Sequence, residues 1–344
     1  MKKISVKVPA KAQKYDIEFV DKFADLKARL KDQLGDRKYL IVTDKNVLKE
    51  TAFFTPTQRK KPGDNIVVIN PGEKSKNWTS IDKILTAGFE HGLDRNSVIV
   101  AVGGGVVGDM AGFAASVFMR GIPFIQVPTT LLGMVDASIG GKTGIDCEYG
   151  KNLIGVIQQP EVILVCRQFL KSLPDLEIRN GIAEMVKHGI VADKIHFKKL
   201  EKLSKKPFKT VRKEIFDLAP ASMMIKKKII ESDEKEAGKR KMLNYGHTFG
   251  HAIEHVSKYK VPHGRAVAIG CVMAAQYASE RGICMEGLVD RIENIFNQFG
   301  VDLAYKISEK KLWEAMTHDK KKQNGQLQLI LPEKLGKVRY YTPE

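Results

Sequence analysis

SVIVAVGGGVVGDMAGFAASVF, residues 97–118, reads as one strand, one tight turn and one helix. Ser97–Val102 is a short apolar run of strand type, and it enters the turn directly. Gly103, Gly105 and Gly108 then satisfy GxGxxG ahead of the helix. Glycines there let backbone N–H groups approach a pyrophosphate, and the helix N-terminus favours its charge. The same glycines argue against a membrane span, which the single charge of the segment, Asp109, would otherwise suggest. An ordinary dinucleotide fold would place an acid about twenty residues on, ending the next strand. Here that strand ends in Gln126 and Pro128, so the site departs from the usual Rossmann form.

The pattern repeats on either side. Tyr39–Thr43 is a strand ending in Asp44. Asn65–Ile69 is another, followed by PGEKSK and a polar helix pattern to about His91. Pro123–Val127 is a fourth strand and ends in PTT. Strand, loop and helix at this spacing predict a parallel sheet covered by helices, with ligands outside the carboxyl ends of the strands. GGKT at Gly140–Thr143 resembles the end of a phosphate-binding P-loop, but GxxxxGK[ST] needs glycine where Asp136 stands, so an NTPase is rejected. What remains is a loop cluster of Asp136, Lys142, Lys151 and Asn152, suited to charged and hydroxylated ligands. From about Leu173 long helical patterns replace the strands, with one strand-like patch at Gln326–Leu331. The expected architecture is an α/β domain with a parallel nucleotide-binding sheet over 1–173, then a mainly α-helical, metal- and substrate-binding domain over 174–344.

The chain has 344 residues, 43% of them apolar and 28% charged, as in a soluble globular protein. Cys147, Cys166, Cys271 and Cys284 form no CxxC pair, which predicts a reducing, cytoplasmic setting without disulfides. The N-terminal MKKISVKVPAKAQKYDIEF has no apolar core, so no signal peptide is expected. Net charge is +17, but the lysine runs lack aromatic interleaving or a reader motif. They read as solvated faces whose field favours small anionic substrates, not nucleic acid.

LNYGHTFGHAIEHVSKYKVPH, Leu243–His263, carries the chemistry. His247, His251 and His255 share one helix face at four-residue spacing, and His263 follows a short break. Imidazoles gathered so closely are material for a divalent-metal site, zinc first. A catalytic zinc takes three protein ligands and keeps an open position, so not all four bind, and a carboxylate from elsewhere is expected to join them.

GGGVVGDMAGFAASVFMRGIPFIQVPTTLLGMVDASIGGKTGID, GKNLIG, NGIAEMVKHGIV at Asn180–Val191 and LNYGHTFGHAIE with its later HG together resemble the 3-dehydroquinate synthase family of sugar-phosphate cyclases. The match is collinear from about Asp44 to Leu331. It implies an NAD+-binding domain, a helical domain, an active site in the cleft between them, and a homodimer. It places the metal, Zn2+ or Co2+, on Glu184, His247 and His263. It frees His251, with Asn244, for proton relay, and counts Lys142 and Arg240 with them in catalysis. It assigns substrate contacts to Arg120 (reaching into the neighbouring subunit), Asp136, Lys142, Asn152, Lys187, Lys226, Arg240, Asn244, His251 and one of Lys320 and Lys321. NAD+ contacts fall on Asp44, Asn46, Glu73, Lys76, Gly104, Gly105, Asp109, Thr129, Thr130, Lys142, Lys151, Ser172 and Leu173.

The implied substrate is 3-deoxy-D-arabino-heptulosonate 7-phosphate. NAD+ takes a hydride from C5, phosphate leaves from C7, the hydride returns, and an aldol step closes the ring. Three positions depart from the family pattern: Ala137, Lys239 and Arg265. Arg265, two residues beyond His263, is expected to alter the surroundings of the metal. The rival readings are sister cyclases taking sedoheptulose 7-phosphate or glucose 6-phosphate, and metal-dependent alcohol or glycerol dehydrogenases, which would accumulate NADH.

Overall fold

The computed structural model describes residues 13–63, 65–234, 236, 238–320 and 327–343. Eight described strands fall in the first half: β1 (Asp16–Val20), β2 (Tyr39–Asp44), β3 (Ile66–Ile69), β4 (Val98–Gly103), β5 (Phe124–Pro128), β6 (Lys142–Cys147), β7 (Gly150–Ile157) and β8 (Val162–Cys166). Six form one parallel sheet in the order β1-β8-β5-β4-β2-β3, while β6 and β7 pair antiparallel as a separate hairpin. The four strands expected from sequence lie together in its β5-β4-β2-β3 portion. The reading passed over β8, although VILVC is as apolar as the run at Ser97–Val102. It also missed β1, whose half-exposed edge position leaves little pattern to see.

All six residues of β4 are buried, because helices cover both faces. Alternate residues feed two cores. Five helices follow strands of this half, α1 (Phe23–Leu34), α2 (Lys45–Glu50), α3 (Pro56–Lys60), α4 (Trp78–Glu90) and α5 (Gly105–Val117), and Leu40, Val42, Ile99 and Ala101 pack with Ile81 and Ile84 of α4 and Met110 and Ala114 of α5. Ile41, Val98, Val100 and Val102 face the other way. This second core continues through Leu131, Met134, Val135 and Ile139 into Ile178, Ile182, Phe249 and Ala266 of the helical half.

That half comprises α6 (Asp175–Ala192), α7 (Lys194–Ser204), α8 (Phe208–Ser232), α9 (His247–Val256), α10 (His263–Ser279), α11 (Leu288–Gln298) and α12 (Glu309–Lys320), closed by an antiparallel pair, β9 (Leu329–Lys334) and β10 (Lys337–Tyr341). Helices α6, α9 and α10 pack backbone to backbone. A Cβ on Gly270 would lie 2.1 Å from the Gly246 carbonyl oxygen, and one on Gly264 would lie 2.4 Å from Asn180 Cα. Among the described residues, no helix is long and apolar enough to cross a membrane.

His196 on α7 is 1% exposed, and neither ring nitrogen has a hydrogen-bond partner. Burial, helped by nearby His188, pushes its pKa from 6.5 down to about 4. The unfolded chain therefore binds the extra proton first, and stability falls as pH drops from 6.5 to about 4. The shift corresponds to about 3 kcal/mol. His196→Leu should flatten this limb of a plot of unfolding free energy against pH. An unchanged slope would refute the assignment.

Candidate active site

The carboxyl ends of β2, β4, β5 and β8 open into a cleft of about 2190 Å³ whose other wall is the helical half. Asp44 ends β2, and its Oδ1 accepts from the backbone N–H groups of Asn46 at 2.8 Å and Val47 at 2.9 Å. Gly104 and Gly105 make the turn into α5, pressed against Thr130, whose Cγ2 would stand 3.1 Å from a Cβ on Gly104. Thr129, Ser172 and Leu173 line the same wall. Bare amides at a helix N-terminus suit a pyrophosphate. Buried Lys76 donates to Asp109 at 2.5 Å and to Asn152 of the β6–β7 hairpin. Burial opposes its charge, but Asp109 outweighs burial and raises its pKa. Lys151 on the hairpin pairs with Glu73 at 3.6 Å and Glu254 at 3.2 Å.

Glu184 rises from α6 beneath the first turns of α9 and α10. Its Oε1 lies 3.5 Å from His247 Nε2 and 3.4 Å from His263 Nε2. Its side chain is fully buried, and neither oxygen is in a hydrogen bond, although the Lys187 ammonium pairs with the carboxylate. A buried carboxylate whose Oε1 faces two imidazoles fits a divalent cation. The candidate ligand atoms of Glu184, His247 and His263 lie within 4.8 Å of one another. Burial and Lys187 push the pKa of His247 well below the ordinary range, so its ring is neutral, as a ligand must be. Burial opposes charge on His263, but Glu184 and Glu254 outweigh it and lift its pKa to about 10. The ring of His251 stands 5.2 Å from that of His247, on the cleft side.

Around this floor the structure gathers the expected polar groups. Asp136 sits on a π-helical turn, Gly133–Ala137, a rare local form frequent at functional sites. Its Oδ1 lies 2.7 Å from Lys226 Nζ and 3.5 Å from His188 Nε2. Burial opposes its charge, but Lys226 and Lys187 hold its pKa well below the carboxylate range. Arg240 is buried, and its guanidinium donates to the carbonyls of Gly140 at 3.1 Å and Glu234. Gly140, at φ +97°, has room only for hydrogen there: a Cβ would lie 2.5 Å from the Arg240 guanidinium. Lys142 pairs with Glu236, which also accepts from Asn244 at 2.8 Å.

One expected residue is not brought into the cleft of its own chain. Arg120 lies outside the cleft on a left-handed turn, Met119 φ 50° and Arg120 φ 68°. Lys320 ends α12, and Lys321 lies outside the described residues. Arg265 points away from the metal set: it donates to the Asp302 carbonyl at 2.7 Å and the Ala304 carbonyl at 2.5 Å, so it pins a loop. Sequence reading missed Glu236 and Glu254. The one visible hint was the acid in GHAIE, nine residues before His263, and its second partner, Lys151, lies 103 residues away.

Residues 66–180 match the family model described as 3-dehydroquinate synthase N-terminal, and residues 181–322 match that described as 3-dehydroquinate synthase C-terminal. The chain belongs to the 3-dehydroquinate synthase family. A 3-dehydroquinate synthase of Prochlorococcus marinus is 41% identical over 343 residues, covering 97% of this chain and 93% of its own. That of Helicobacter pylori is 40% identical, covering 96% and 92%. Among solved structures, the 2-epi-5-epi-valiolone synthase of Streptomyces hygroscopicus, with NAD+ and Zn2+ bound, aligns with TM-score 0.85 at 24% identity over 98% of this chain and 95% of its own. A 2-deoxy-scyllo-inosose synthase complexed with carbaglucose-6-phosphate, NAD+ and Co2+ aligns at 0.81 and 24% over 94% and 91%. At such identity these two establish the cyclase fold alone. An iron-containing alcohol dehydrogenase is more distant, at 0.62 and 15% over 90% and 91%.

Proposed function

We propose that this cleft converts 3-deoxy-D-arabino-heptulosonate 7-phosphate to 3-dehydroquinate and phosphate, a carbon–oxygen lyase reaction of the shikimate route to aromatic amino acids. NAD+ would lie along the carboxyl ends of the strands, and one divalent metal, Zn2+ or Co2+, on Glu184, His247 and His263. The carrying observation is that Glu184, His247 and His263 open into the same cleft as the Gly104–Gly105 turn, ringed by Lys142, Lys226, Arg240 and Asn244. The two cyclase neighbours hold NAD+ with Zn2+ or Co2+, which supports the cofactors.

When bound, NAD+ supplies a hydride acceptor that is restored within each turnover, and the metal an electrophile for vicinal hydroxyls. Arg240 presents a guanidinium fixed by two carbonyls to the substrate carboxylate, with Lys226 and Asn244 beside it. Lys142 and Asn152 hold the phosphate, joined by Lys320 or Lys321. Asp136, kept ionised by its lysines, accepts from a ring hydroxyl, and Lys187 stands over the same group. His251, with Asn244, takes and returns the proton of the hydroxyl being oxidised. Glu236 holds Lys142 and Asn244 until a substrate anion replaces it. The nucleotide falls to residues 1–173 and the metal and most of the substrate to 174–344.

Phosphate release from this substrate should need bound metal and catalytic NAD+, stop on chelation, and proceed without accumulating NADH. Steady NADH formation would move the protein to the dehydrogenases. Release only from another sugar phosphate would move it to a sister cyclase.

The reading includes a homodimer in which Arg120 serves the neighbouring site. Arg120 stands beside exposed Val117 and Met119, with exposed Phe89 packed on Phe118, apolar surface that a partner would cover. Mixing Arg120→Ala with Glu184→Gln subunits should restore activity, because one site of each mixed dimer is intact. Mixed dimers that stay inactive would place Arg120 in its own subunit's site. A reducing, cytoplasmic setting is supported by the four unpaired cysteines.

A further inference from the structure

Glu254 lies on α9 one turn beyond His251 and is 4% exposed. Its two oxygens face different elements. Oε2 lies 3.3 Å from His263 Nδ1, and Oε1 lies 3.2 Å from Lys151 Nζ on the β6–β7 hairpin. His263 presents its other nitrogen, Nε2, to Glu184 at 3.4 Å. Lys151 in turn lies 4.3 Å from the centre of the Tyr259 ring, on the segment joining α9 to α10. One buried carboxylate therefore stands between a metal-facing imidazole and a lysine from the cofactor side of the cleft. The other imidazole is held differently: His247 Nδ1 lies 3.2 Å from the backbone carbonyl of Tyr245.

We propose that Glu254 is a positioning residue of the metal centre: it accepts the Nδ1 proton of His263, which leaves Nε2 for the metal, while its second oxygen docks Lys151 and so ties the cofactor hairpin to the metal floor. The inference rests on the metal assignment proposed above. A ligating histidine whose second nitrogen donates to a carboxylate is fixed in tautomer and orientation and gains basicity. Lys151 is the competing partner, since it draws charge from the same carboxylate. Removing Glu254 and removing Lys151 should then act differently on the metal.

The test is competition of the purified, metal-stripped chain against a chromophoric chelator for Zn2+, with the visible spectrum of the Co2+ form as a second readout. Glu254→Gln should weaken metal binding by about 10–100-fold and alter the Co2+ spectrum. Lys151→Met should leave metal affinity at or above that of the wild type. Glu254→Asp, which keeps the charge but shortens the reach, should lie between Glu254→Gln and the wild type, and it serves if the glutamine variant does not fold. Wild-type metal affinity in the folded Glu254 variants would overturn the proposal. So would equal weakening by the Glu254 and Lys151 variants, the mark of a merely structural bridge. His247→Ala separates the two levels. If it binds metal as the wild type does, the metal assignment itself fails. If it loses metal while Glu254→Gln does not, only the role of Glu254 fails.

Discussion

Glu184→Gln should give a chain that no longer retains stoichiometric metal and turns over about 10³-fold more slowly, the several kcal/mol that a bound electrophile supplies being worth roughly a decade per 1.4 kcal/mol. The amide keeps the shape but removes the only charged ligand of the three. It also strands a neighbour, because the Lys187 ammonium is 2% exposed and pairs with this carboxylate. Breaking a buried pair from one side costs about 3–5 kcal/mol. Burial opposes charge on Glu184, yet Lys187 holds its pKa far below the usual range, so the pair is charged throughout the working pH range. The variant should therefore show two separable deficits: lost metal in a chelator competition, and a lower unfolding free energy in the metal-free state. A variant with wild-type metal content and phosphate release would sink the metal assignment.

Gly270→Ala should be nearly as damaging although residue 270 touches no ligand. The added methyl would meet the Gly246 carbonyl oxygen at 2.1 Å and the Gly250 nitrogen at 2.8 Å, both backbone atoms that cannot rotate aside. Gly246 immediately precedes His247, so any yielding of α9 moves a proposed metal ligand. Overpacking of a core commonly costs about 1–3 kcal/mol, and a clash between two helix backbones belongs at or above the upper end. Chemical denaturation should show that loss, and metal affinity should fall with it. Alanine at 270 with unchanged stability and metal binding would show that the two helices have slack between them.

How much was legible in the sequence differs by kind of residue. The central strands showed themselves because burial on both faces leaves unbroken apolar runs, as at Val98–Gly103. The helix carrying His247 and His251 showed itself by four-residue spacing, and the two rings do lie side by side. Spacing alone would have recruited His255. His263, on the next helix, was visible as a fourth imidazole close by, but the choice among the four and the identity of the carboxylate, Glu184, came only through family likeness. Glu236 and Glu254 left little signal, since their nearer partners Asn244 and His263 lie 8 and 9 residues on, across a break in the helices, and Lys142 and Lys151 lie 94 and 103 residues away. Periodicity reports which face an element buries. It is silent on which distant charge the chain's topology will bring opposite.

The core that runs from Val98, Val100 and Val102 through Leu131 and Met134 to Ile182 and Ala266 bears on modularity. A fragment ending at Leu173 would keep the sheet and its Ile99-side core but leave Leu131, Met134 and Val135 without the helices they pack on. On the reading proposed above the halves divide the chemistry, one for a nucleotide and one for a cation, while the shared core predicts that they do not fold separately. Chimeras between relatives should thus lose stability on a cut at the boundary between the halves, because Leu131, Met134 and Val135 would then face foreign helices.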